Sequence, residues 1–242
     1  MPFLEVHVAV TDSTCEVSAG LLDGDGPRSP VRRPVPVTAP RPGWQELAPE
    51  DLWRATTEAV RELLDRPGVD AAEVEGLVLT GPPETLVVWD QETLGSPRPV
   101  IGPADRRTAE LCTWMRSSGS EKLVGTRTGR GLDPTGTGPR LAWVRAHEPN
   151  TWALVEDGRY VVGPVTSYLV ARMTRGVWHL VDTASAAATL LLDTTAGTWD
   201  PELCALFGVP AAALPQLVEP GRTPAVTDPS TVGGLAVPIG LR

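Results

Sequence analysis

The sequence predicts an α/β fold, and three stretches carry that expectation. Residues 3–10, F-L-E-V-H-V-A-V, alternate in the manner of a half-buried strand, and Thr14 to Leu22 follows as its hairpin partner. From Leu52 to Leu64 the apolar residues recur at helical spacing. From Val74 to Leu111 two short β-branched runs, bounded by Gly, Pro and Asp, precede another helical stripe. Strands and helices interleaved in this way pack as helices on a sheet.

Taken in order, the opening is three-stranded and spans 3–37. Asp23-Gly24-Asp25-Gly26 reads as a turn, and Val31 to Val37 as a third strand whose prolines confine it to an edge. Pro49, with Glu50 and Asp51 beside it, starts a helix over 49–65 that buries Leu52, Thr56, Ala59, Val60, Leu63 and Leu64. Asp65-Arg66-Pro67-Gly68 stops it. Trp44 and Trp53 flank its start as packing anchors.

The central unit, strand-turn-strand-helix, spans 74–116. Its first strand ends at Gly81-Pro82-Pro83 and its second at Asp90-Gln91. Asp105 is read as the N-cap of a helix that buries Leu111, Cys112 and Met115. A turn at the end of a buried strand is a natural place for a ligand, although periodicity alone favours an ordinary strand-turn-strand-helix unit without chemistry. Residues 117–139 are rich in Ser, Gly, Thr and Pro and read as a long loop. The part from 140 to 242 holds helices and strands. Pro139 to Ala146 is a short helix with His147 at its dipole-negative end. Pro164 opens a helix with Val165, Leu169 and Met173 inside. T-L-L-L-D at 189–193 reads as a strand, and Asp200-Pro201-Glu202 starts a helix that Gly208 stops. Asp182 and Ser185 read as strand-end or turn residues. The whole chain, 1–242, is expected to form one domain.

Composition excludes several classes of partner. The 242 residues can bury a sizeable core, and a formal charge of −9 offers no footprint for nucleic acid or an anionic membrane. No apolar run approaches the roughly 20 residues needed to cross a bilayer. The start, Met1 to Glu5, lacks the regions of a signal peptide. Cys15, Cys112 and Cys204 are odd in number and widely spaced, which fits reduced thiols and a cytoplasmic location. A Ser or Cys hydrolase is disfavoured, because no His stands in a nucleophile context and Cys15 has no evident base.

Several blocks carry a family resemblance. P-P-E-T-L-V-V-W-D at 82–90 and P-A-D-R-R-T-A at 103–109 are joined by P-G-W-Q-E-L-A-P-E-D-L-W at 42–53, L-A-W at 141–143, V-D-T-A-S-A-A-A-T-L-L-L-D at 181–193 and L-F-G-V-P-A-A-A-L-P at 206–215. Together they resemble the N-terminal domain of the FGGY carbohydrate kinases, the family of glycerol kinase and xylulokinase, over nearly the whole chain. The resemblance implies a ribonuclease-H-like (actin-like ATPase) domain, a mixed central sheet with helices on both faces.

It also implies where the site lies and how it departs from the family. The first hairpin of the family, D-x-G-T, faces nucleotide phosphates and its Asp handles the metal; here the place reads T-D-S-T-C at 11–15. Thr11, Asp12, Ser13 and Thr14 are thus a degenerate phosphate hairpin. Asp12 is one position out of register, on the opposite face if the strand continues. The turn after the first central strand holds substrate hydroxyls in the family. Here Pro82 and Pro83 replace two polar residues, so Glu84, with Asp105, is the expected substrate contact. Arg106 and Arg107 are read as solvated helix charges, and no metal ligand is assigned. The family's general base is an Asp beyond the segment matching 232–242, and its ATP-binding half follows. No catalytic residue is therefore assigned, and no catalysis by this chain alone is expected. ATP and magnesium are expected only if a C-terminal half is supplied. The expected partners are a separate ATP-binding half, or a second copy by self-association, and a small polyol or sugar. The alternative is a pseudokinase serving as an interaction or polyol-binding module.

Overall fold

The computed structural model describes residues 2–23 and 26–242, so the tip of the turn read at Asp23 to Gly26 lies outside the described residues. β1 (Phe3–Val10), β2 (Cys15–Asp23) and β3 (Gly26–Val35) form an antiparallel meander. The third strand starts earlier than the prolines suggested and is an edge, where missing N–H groups cost no ladder bond. Short strands β4 (Val37–Thr38) and β5 (Glu46–Leu47) lead into α1 (Pro49–Leu64) and then β6 (Gly76–Thr80). β7 (Val87–Asp90), β8 (Val100–Ile101), α2 (Ala109–Ser117), α3 (Ser120–Thr128), α4 (Thr137–His147) and α5 (Pro149–Glu156) follow. The last part comprises β9 (Tyr160–Gly163), α6 (Val165–Met173), β10 (Leu180–Asp182), α7 (Thr183–Ala187), β11 (Leu192–Asp193), β12 (Thr198–Trp199), α8 (Pro201–Phe207), β13 (Gln216–Val218) and β14 (Ile239–Leu241).

The central sheet has the order β14-β6-β1-β2-β3, with β14, β6 and β1 parallel and the rest antiparallel. The alternation of β1 buries Leu4, Val6 and Val8 against one core, which also takes Leu52, Ala59, Val60 and Leu63 of α1 and Leu169 of α6. β7 is buried on both faces. Val87 and Trp89 join this first core, while Leu86 and Val88 join a second one built with Met115, Leu141, Val144, Trp152 and Phe207. Period-two alternation thus makes β7 the wall between two cores. Among the described residues, no helix is long and apolar enough to cross a membrane.

Three local expectations are corrected. The stretch read as a loop contains α3, bracketed by Gly119 at φ 88° and Gly129 at φ 67°. Only Val124 and Thr128 of α3 are buried, so it shows no amphipathic stripe to read. Asp105 does not cap α2, which begins at Ala109 after Thr108. The T-L-L-L-D strand shrinks to two residues, because Leu190 adopts φ 63° and breaks the extended run. Asp182 caps α7 by accepting from the Ser185 N–H at 2.8 Å, and Asp200 caps α8 as read.

One buried group makes stability depend on pH. His179 packs edge-on to Trp89 at 4.9 Å, contacts the Val162 carbonyl at 3.0 Å, and burial pushes its pKa down from 6.5 to about 4. Between those values the unfolded chain binds a proton that the folded chain refuses, so stability falls as pH falls. Urea unfolding at pH 7 and at pH 4 is expected to differ by up to about 3 kcal/mol from this group. His179→Asn should flatten that limb of the profile.

Candidate functional site

The crevice lies beyond the carboxyl end of β1, which runs parallel to β6. Three segments meet there: the β1–β2 turn, the stretch before β5, and the stretch between β8 and α2. They enclose a cleft of about 480 Å³ lined by Thr11, Asp12, Trp44, Gln45, Ala104 and Arg106 among others.

The β1–β2 turn closes on itself. The Thr11 N–H donates to the Thr14 carbonyl at 2.8 Å, and the Thr14 N–H donates to Thr11 Oγ1 at 3.1 Å. Asp12 and Ser13 form its exposed tip. Because residues 11–14 are a turn, strand alternation does not govern them. Thr11 and Asp12 both line the cleft, which corrects the expectation that Asp12 faces away.

Asp105 was expected to touch substrate or cap a helix. The structure buries it between the cleft-lining residues Ala104 and Arg106, 1% exposed, with four protein donors on its carboxylate. The Gln45 N–H reaches Oδ2 at 2.6 Å, and Arg107 supplies its own N–H, Nε and Nη2. The carboxylate is engaged in joining two chain segments.

Arg107 is not a solvated charge. Its side chain is 1% exposed, Nη2 donates to Glu46 Oε1 at 2.8 Å, and its guanidinium lies 3.8 Å from the Trp44 ring and 4.9 Å from the Trp143 ring. Burial opposes its charge, but the Asp105 and Glu46 carboxylates more than offset that and hold its pKa above the ordinary value. Trp143 in turn stacks on His147 at 4.4 Å, and His147 Nδ1 contacts the Trp143 carbonyl at 2.9 Å. Trp44 is therefore both a packing anchor and a wall of the cleft.

Sequence reasoning missed Arg140 altogether. This residue of α4 is fully buried, and its guanidinium donates to the carbonyls of Glu84, Gly102 (2.9 Å), Pro103 (3.3 Å) and Asp105 (3.4 Å). Burial pushes its pKa down to about 10, so it stays charged near neutral pH. The available signal was spacing: Arg140 stands four residues before buried Val144, on the core face of α4.

Glu84 sits half-buried on the turn that follows β6. Thr85 fixes this turn: its hydroxyl donates to the Pro82 carbonyl at 2.9 Å and accepts from the Val165 N–H at 2.8 Å. Arg140 then ties the Glu84 turn to the 102–105 turn, and Gln45 ties the latter to the hairpin. Of the predicted residues, Thr11 and Asp12 line the cleft, while Glu84 and Asp105 stand outside its lining and are linked to it through Arg140 and Gln45. Cys15, just past the hairpin, is buried, and burial pushes its thiol up to about 12, which makes it a poor nucleophile. Among the described residues, no group of three or more His, Cys, Asp or Glu side chains could hold a metal ion.

Residues 14–240 match the N-terminal domain of the FGGY family of carbohydrate kinases. The chain belongs to this family. A glycerol kinase from Methylobacterium nodulans is 38% identical over 203 residues, covering 84% of this FGGY chain and 40% of that protein. A glycerol kinase from Rhodopseudomonas palustris is 34% identical over 235 residues, covering 97% and 46%. The chain spans less than half the length of these curated relatives. Its fold is shared with the xylulose kinase from Rhodospirillum rubrum (TM-score 0.84, 20% identity, 100% of this chain and 49% of that one). A glycerol kinase from Plasmodium falciparum, crystallised with ADP, gives a TM-score of 0.83 at 21% identity over 98% of this chain and 48% of that one. The FGGY chain thus has the ribonuclease-H-like, actin-like ATPase fold expected, with a mixed central sheet.

Proposed function

We propose that this chain holds the sugar or polyol side of an ATP-dependent carbohydrate kinase related to glycerol kinase, and does no catalysis until an ATP-binding part completes the cleft. The observation that carries the reading is the held edge itself. Arg140 and Gln45, both buried, bind the Glu84 turn, the 102–105 turn and the hairpin into one constellation. Phosphoryl transfer depends on such positioning and on charge stabilisation, with a base placed at the attacking hydroxyl. Glu84 is the residue we assign to a substrate hydroxyl, its side-chain oxygens accepting the hydrogen bond. The cleft lining offers one carboxylate, Asp12, and one guanidinium, Arg106. We assign that base, with ATP and magnesium, to the completing part. When bound, the ion would screen the charge of the transferring group.

A second reading, a polyol-binding or interaction module without chemistry, is favoured by Pro82, Pro83 and Pro103, which present no side-chain donors at the same edge. The partner is then an unrelated protein or a second copy. Three buried free cysteines fit a reducing compartment, and we place the protein in the cytoplasm.

Calorimetric titration with glycerol and with a pentulose tests the substrate assignment. Saturable binding of one of them is expected, with Glu84→Gln weakening it by about tenfold. Absence of binding by the wild-type chain contradicts the reading.

A further inference from the structure

We propose that Gln45 is a positioning residue that sets the Thr11–Thr14 turn and presents its Asp12 side to the cleft. Gln45 is 3% exposed, yet it lines the cleft. Its Nε2 donates to two successive carbonyls, Thr11 at 2.5 Å and Asp12 at 3.1 Å. Its Oε1 accepts from the Ala104 N–H at 2.9 Å. This network allows the amide only one orientation, since the carbonyls need a donor and the N–H needs an acceptor. The backbone of Gln45 is pinned as well: its N–H donates to Asp105, and its carbonyl accepts from the Gly102 N–H at 2.9 Å.

Gly102 makes the room. A Cβ built there would lie 2.2 Å from Gln45 Oε1 and 2.7 Å from its Cδ, so any larger residue displaces the amide. The bonds between Thr11 and Thr14 close the four exposed residues on themselves, but do not fix them against the rest of the molecule. The bonds from Gln45 supply the constraint from outside.

The consequence for the site rests on the reading of the cleft given above. Carbonyl oxygens of the turn, left free, would meet an incoming phosphoryl group with like partial charge. Gln45 occupies both. It also accounts for Asp12 lining the cleft although the residue stands one position away from the family's acid.

Amide hydrogen exchange on the full chain tests the proposal, with Gln45→Met, Gln45→Glu and Gly102→Ala compared with wild type. Met keeps the length of the side chain and loses its polar atoms; Glu keeps the acceptor for Ala104 and loses the donor. Gly102→Ala acts on Gln45 from the other side. The Thr11 and Thr14 amides, both hydrogen-bonded within the turn, report on it. They are expected to exchange about tenfold faster in each variant, while Leu77 and Ile239, bonded within the sheet region, keep their rates. Unchanged rates at Thr11 and Thr14 in Gln45→Met overturn the proposal. A uniform rise at all four amides overturns it too, since that marks general loss of stability. Titration of the same wild-type sample with glycerol and with the pentulose keeps the two ideas apart, because failure to bind either contradicts the substrate reading and leaves the role of Gln45 standing.

Discussion

Replacing Arg140 with alanine is expected to cost about 4 kcal/mol of folding stability. The guanidinium is fully buried and serves the carbonyls of Glu84, Gly102, Pro103 and Asp105. Its removal leaves these acceptors short of donors and opens a void beside Leu141 and Val144 of the second core. Arg140→Lys keeps the charge, but a point-like ammonium cannot span two turns as the planar fork does, so it should recover only part of the loss. Urea denaturation of the three proteins measures this. A cost below about 1 kcal/mol for the alanine variant contradicts the assignment of Arg140 as the tie between the two turns.

The second large effect is at Asp105. Asp105→Ala is expected to cost about 3 kcal/mol, because it strips Arg107 of the carboxylate that pairs with both its Nε and its Nη2 inside the protein. Arg107 would keep Glu46 and the rings of Trp44 and Trp143, which do not compensate a 1%-exposed cation. The Gln45 N–H would lose its acceptor as well. Adding Arg107→Leu to Asp105→Ala should cost less than the sum of the two single changes, since the stranded charge is then gone. Additive losses would mean that the pair is not coupled.

Most of the fold was legible because it follows from local rules. The alternation in β1, the Pro49 start of α1, and the Asp200 and Gly208 ends of α8 each appear where the sequence puts them. α3 was not legible, since its two buried residues make no stripe and its Ser and Gly content mimics a loop. The site was legible only in outline. Arg140 and Gln45 link the Glu84 turn, the 102–105 turn and the Thr11–Thr14 turn, but the sequence read Asp105 as a helix cap or substrate contact and Arg107 as a solvated helix charge. They are instead a buried pair, because the helix begins later, at Ala109. Arg140 and Gln45 act across 56 and 34 positions of sequence, and no local pattern encodes bonds of that range. The register of Asp12 was misjudged for another reason: strand alternation was carried past Val10, where β1 ends as read.

The central claim is that this chain organises the polyol side of a phosphoryl-transfer site without performing the transfer. The most direct measurement is magnesium-ATP-dependent phosphorylation of glycerol and pentuloses by the purified chain alone, read as product formed above a protein-free control. The account predicts no product, and product in the same assay once an ATP-binding half is supplied. Phosphorylation by the chain alone would contradict it.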